Sequence, residues 1–157
     1  MKRNSTRSLK WMAVTSVIIS ILALALIFTQ TIGCVTDWTS HPKAVWIEGF
    51  KGLQLTILIM RFVGALASFA LLVAFLLNTI KAHTNGVLFP RKNVGILFGL
   101  AASTFVALFC RGNLHLLSGT KEIHLSFEEL LVPIIICIVA VIYKTAVQVK
   151  EENSLTI

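Results

Sequence analysis

The 157-residue chain is 56% hydrophobic and only 13% charged, against roughly a quarter charged for a soluble globular domain, which excludes an ordinary water-facing surface. Its formal net charge of +7 does not make a nucleic-acid footprint, because the basic residues gather at the edges of apolar runs, where membrane orientation accounts for them. No direct contact with nucleic acid is expected.

In chain order, Lys2, Arg3, Arg7 and Lys10 precede a first apolar run over about 11–33. A helix needs about 20 apolar residues, at 1.5 Å each, to cross the hydrocarbon core, and this run is long enough. A cleaved signal peptide is the alternative, since Thr31, Ile32, Gly33 and Cys34 resemble a weak lipoprotein cleavage box. The length of the run argues for a span instead. Residues 34–52 form a loop in which Ala44, Val45, Trp46, Ile47 and Phe50 can lie flat in the membrane interface. A second span follows over about 53–80, broken by one charge, Arg61. Lys81, Arg91 and Lys92 fill the next loop. The third span covers about 94–117 with Arg111 near its end, and after a short connection, 118–126, the fourth covers about 127–149. A tail, 150–157, remains. Backbone groups in lipid must bond internally, and no alternation suggests a barrel, so the fold predicted is all-α: one integral membrane four-helix bundle, residues 1–157.

Orientation follows from the basic residues. Lys2, Arg3, Arg7, Lys10, Lys81, Arg91, Lys92, Lys144 and Lys150 share one side of the membrane. Lys43, Lys51 and Lys121 occupy the other, with Asp37, Glu48, Glu122, Glu128 and Glu129. The positive-inside rule then puts both termini in the cytoplasm of a multi-pass inner-membrane protein. Trp11, Trp38, Trp46 and Tyr143 fall near the interfaces, as amphipathic rings should.

Small residues step by four along the third span, at Gly95, Gly99, Ser103 and Ala107, and the same step reaches Arg111. In the second span Arg61 precedes Gly64, Ala65 and Ser68. Such faces let helices approach closely where lipid offers no hydrophobic drive, so the two are expected to pack together within the chain, with a homo-oligomer seam as the alternative. Arg61 lies about 12 Å inside the outer boundary and costs about 2.5 kcal/mol or more unless paired or hydrated. Ser126-Phe127-Glu128-Glu129 reads as a capping box at the start of the fourth span, and Pro133 removes the amide that would bond the Glu129 carbonyl. The expectation is an outer-half cluster of Arg61, Arg111, Glu128 and Glu129, joined by Gln54 and His115. It is either a salt-bridge network that fixes helix register or the lining of a pocket for an ion or small anion.

Catalysis finds no support. His41, His83, His115 and His124 make no zinc-protease pair, and no nucleophile elbow or phosphate-binding glycine loop is present. Cys34, Cys110 and Cys137 have no metal-ligand spacing; a Cys34–Cys110 disulfide and simple apolar burial are both open. No cofactor or metal is expected, and the chain reads as a non-enzyme.

Two cytoplasmic segments carry a resemblance. The loop Gly86-Val87-Leu88-Phe89-Pro90-Arg91-Lys92-Asn93 has a Gly-x-x-Phe-x-x-x-Asn pattern, and the chain ends Lys150-Glu151-Glu152-Asn153-Ser154-Leu155-Thr156-Ile157. Across essentially its whole length the chain resembles the bacterial four-helix membrane proteins of domain-of-unknown-function family 2975, many of which finish in a Glu-Asn-Asp-Leu-Thr-Ile/Val-like tail. Ser154 stands where that tail usually has Asp. The resemblance implies no particular activity. It does imply a regulatory pair, since such proteins are often encoded beside a small helix-turn-helix regulator. In the tail, Glu151, Glu152, Asn153, Leu155, Thr156 and Ile157 are the candidate partner-binding residues; folding of the acids back onto Arg91 and Lys92 is the alternative. A membrane regulator or interaction protein is therefore the first functional reading. A small-solute or ion permease using the Arg/Glu pocket is the second, weakened by inner halves nearly free of ionisable groups.

Overall fold

The computed structural model describes residues 2–36 and 44–155, and these form an all-α membrane protein. Helix α1 is Lys2–Val35, α2 is Lys51–Thr84, α3 is Lys92–Gly112, followed by a 3-10 helix, Asn113–Ser118, and α4 is Phe127–Leu155. Each of the four contains a segment long and apolar enough to cross a membrane: Lys10–Cys34, Lys51–Thr84, Lys92–Ser118 and Phe127–Asn153. Large apolar side chains such as Ile19, Leu22, Leu77, Ile138 and Ile142 are exposed on the outside of the molecule, as a lipid solvent requires.

The helices run antiparallel. Lys10 of α1 lies in one groove with Ile80 of α2, while Gln30 of α1 reaches Arg61 of α2. Asn93 at the start of α3 meets Thr79 near the end of α2 and Tyr143 late in α4. The start of α1, the end of α4 and the 85–91 loop therefore share one end of the molecule, here the terminal end. The other end carries the 3-10 helix and the loops 44–50 and 119–126.

The principal seam joins α2 to α3. At Gly64 a Cβ would stand 3.0 Å from the Ala107 amide nitrogen and 3.1 Å from the Ser103 carbonyl oxygen, so the two backbones touch there. One turn on, Ser68 Oγ lies 2.9 Å from Ser103 Oγ and 3.3 Å from Thr104 Oγ1. Gly99 sits against the Leu71 side chain. Gly95 is different: it is exposed, with nothing near the position of a Cβ. It thus departs from the expected packing ladder. Four residues on an α-helix are 400°, so each step drifts by about 40°, and three steps carry Gly95 about 120° away from the face of Ala107.

Around this seam the outer helices are attached unequally. Among the described residues α1 approaches the backbone of α2 alone, and α4 approaches α3. The resulting open arrangement leaves a central groove of about 350 Å3 between α1 and α4, floored by α2 and α3. The Gly64 contact has no slack, so Gly64→Leu should abolish the monodisperse folded protein in detergent. Gly64→Ala should lower its stability by about 1–3 kcal/mol, read as a lower thermal midpoint.

Candidate functional site

The polar groups concentrate at the loop end, and they form three separate constellations. In the first, Gln54, on the first turns of α2, is 1% exposed and makes three bonds. Its Nε2 donates to the Val45 carbonyl at 2.8 Å and to the Leu116 carbonyl at 2.7 Å, and its Oε1 accepts the Ile47 amide at 3.1 Å. The Val45 amide donates to the Leu117 carbonyl at 2.7 Å. This single side chain therefore sews the 44–47 segment to α2 and to the 3-10 helix. That segment is strapped over the bundle end rather than free in the interface.

The second constellation is centred on Asn113, fully buried at the start of the 3-10 helix. Its Nδ2 donates to the carbonyls of Phe109 at 2.9 Å and His124 at 2.7 Å, and its Oδ1 accepts the His124 amide at 2.8 Å. His115 reinforces the loop: Nδ1 lies 2.9 Å from the Gly112 carbonyl and Nε2 lies 2.7 Å from the Glu122 carbonyl. A neutral ring can donate to one of them, an imidazolium to both. Lys121 lies over the Phe50 ring at 5.6 Å, so the two loops also meet each other.

The third holds the charged residues. Arg61 is buried on α2, and its guanidinium donates to Gln30 Oε1 of α1 at 2.6 Å. Its electrostatic neighbours are Cys34, Arg111 and Cys110. Glu128 and Glu129 are not among them, and among the described residues no ion pair joins either arginine to either acid. The reason is rotational. Arg61 precedes Gly64 by three residues, or 300°, and is offset by about 60° from the seam with α3; that offset carries it to α1. Depth along the helix matched the expected cluster, whereas azimuth did not.

Arg111, Glu128 and Glu129 do come together. With Leu108, Gly112, Ser126 and Val132 they line a pocket of about 340 Å3 between the end of α3 and the start of α4. Arg111 and Glu128 are exposed, and Glu129 is buried. The Glu129 carboxylate lies where a Cβ on Gly112 would stand and accepts the Ser126 amide at 3.2 Å, the glutamate half of the capping box. Pro133, buried one turn further, leaves the helix without an amide at that step.

All three cysteines carry free thiols, Cys110 buried, and among the described residues no group of three His, Cys, Asp or Glu is placed to hold a metal. Comparison with protein-family models, with curated proteins and with solved structures gave no match. A functional reading therefore rests on the chain's own sequence and geometry.

At the terminal end, the Gly86 to Asn93 pattern has a physical basis. Gly86 turns the chain at φ +77°, which a Cβ disfavours. Phe89 packs edge-on against Tyr143, with ring centroids 5.4 Å apart. Asn93, fully buried, donates to Thr79 Oγ1 at 2.9 Å and reaches Tyr143 Oη at 3.4 Å. The tail differs from an unstructured end: α4 continues as helix to Leu155, with Glu151, Glu152 and Asn153 exposed. Thr156 and Ile157 lie outside the described residues.

Three outcomes follow. Replacing Gln54 with Leu strands two carbonyls and an amide and should cost about 1–3 kcal/mol, with faster hydrogen exchange at the Ile47 amide. Arg61→Met removes a buried cation whose hydrogen-bonding side chain among the described residues, Gln30, is neutral, so the variant should fold with a thermal midpoint equal to or above that of the parent. Gln30→Ala should instead lower the midpoint, because it leaves the guanidinium without that acceptor; a stable Gln30→Ala would show that Arg61 is solvated.

Proposed function

We propose that the protein is a non-enzymatic protein of the inner membrane, with both termini cytoplasmic, that acts as the membrane partner of a cytosolic regulator of helix-turn-helix type. The observation that carries this reading is the end of α4. Its last apolar residue before the charged turn is Val149, and the turn that follows presents Glu151, Glu152 and Asn153 at the surface. A preformed helical end costs less ordering entropy on binding than a loose peptide would. The nine basic residues grouped at this end support the cytoplasmic orientation. The likeness to family 2975 supports the regulatory pairing, and its loop residues Gly86, Phe89 and Asn93 each have a structural reason here.

The permease reading draws on the pocket of Arg111, Glu128 and Glu129. That pocket stays at the loop end. The central groove between the four helices is lined by apolar and hydroxyl-bearing side chains, with no ionisable group among them. A charged solute would therefore meet an apolar stretch about midway, which favours the interaction reading.

The test is a crosslinked pull-down from native membranes, comparing the full chain with one ending at Lys150. Recovery of a helix-turn-helix regulator by the full chain alone is the expected result. Equal recovery by both chains would remove the tail from the contact, and uptake of a labelled anion into vesicles that is lost in Arg111→Gln would turn the assignment to transport.

A further inference from the structure

We propose that the groove between the 85–91 loop and the last turns of α4 seats one anionic phospholipid from the leaflet at the terminal end. The groove encloses about 710 Å3, twice the size of the central one. Leu88 and Phe89 form one wall, Val141 and Ala146 belong to the floor, and Lys150 and Asn153 close it at the terminal end. From Val141 to Asn153 the helix rises about 18 Å. Half the hydrocarbon core is about 15 Å thick, so the groove runs one leaflet deep and emerges at headgroup level.

Its chemistry changes along that length as a phospholipid's does. The deep part is apolar and can take an acyl chain. At the mouth the Lys150 ammonium and the Asn153 amide are hydrogen-bond donors for a phosphodiester, and the exposed Arg91 and Lys92 of the adjoining segment add positive charge. Glu151 and Glu152 are not part of the lining, and both already interact with other groups of the protein. The wall is prebuilt, because Phe89 is braced on Tyr143, which in turn packs edge-on against Phe75 at 6.2 Å and is reached by Asn93. A smaller groove of about 320 Å3 between α1 and α2 repeats the pattern, with an apolar strip that includes Val14 and Leu77 and Lys10 among its lining. The inference is independent of the proposed regulator, since it concerns lipid in the plane of the membrane.

The experiment is native mass spectrometry of the full chain released from nanodiscs holding equal amounts of phosphatidylglycerol and phosphatidylcholine. One phosphatidylglycerol should be retained with a preference of about fivefold, the ratio that corresponds to the ~1 kcal/mol of one lysine near an anionic lipid surface. Lys150→Gln should bring the two lipids to parity, and Ala146→Trp, which fills the floor, should lose the retained lipid altogether. Equal retention of both lipids by the parent protein would overturn the proposal. So would undiminished retention by Ala146→Trp, or a dimer of the parent that this variant dissociates, which would give the groove to a second copy. If Ala146→Trp does not fold, the lipid ratio in Lys150→Gln decides: an unchanged preference overturns the proposal.

Discussion

The backbone contact at Gly64 sets the register on which the other polar contacts depend. Once α2 and α3 touch at Gly64 and Ala107, Ser68 falls opposite Ser103, and the two hydroxyls satisfy each other where water is absent. The same antiparallel alignment brings Gln54 to Leu116 at one end and Thr79 to Asn93 at the other. Each of these polar side chains would be costly if the seam slipped by a turn, because its partner would move about 5.4 Å away. Glycine makes the approach, and the buried amides penalise every other alignment.

The two ends differ in how they use polar groups. At the loop end, Gln54 and Asn113 bind backbone atoms and close the connections down onto the helices. At the terminal end, Asn93 and Tyr143 brace a wall beside an open groove, and the last turns of α4 expose Glu151, Glu152 and Asn153. One end is tied shut and the other is presented. This asymmetry agrees with the basic residues gathered at the presented end.

The helices and their apolar spans were legible in the sequence because hydrophobic length alone dictates them in lipid. The contact between small faces on the second and third spans was also legible at Gly64, Ser68, Ser103 and Ala107, since small residues in adjacent antiparallel helices have few other uses. The charged cluster was less so. Distance along a helix follows from residue number, but rotation accumulates 100° per residue, and an offset of one position decides which neighbour a side chain meets. Arg61 thereby went to Gln30, and Gly95 turned outward. The straps at Gln54 and Asn113 were hidden for another reason: their partners are main-chain atoms of loops, whose path no side-chain pattern records. The polar type of these residues inside apolar flanks was the one available signal.

The unequal attachment of α1 bears on the order of assembly. Synthesised before the other three helices, it enters the bilayer with a strongly apolar Lys10–Cys34 segment and can wait there unpaired. Among the described residues its one backbone neighbour is α2, which arrives later with Arg61, and that guanidinium finds Gln30 before α3 exists to cover the opposite face. The emerging α2 is thus received by a helix already in place, and its most expensive side chain has an acceptor from the moment of insertion. In this sense α1 is less a pillar of the finished fold than a nursery for the pair that becomes its core.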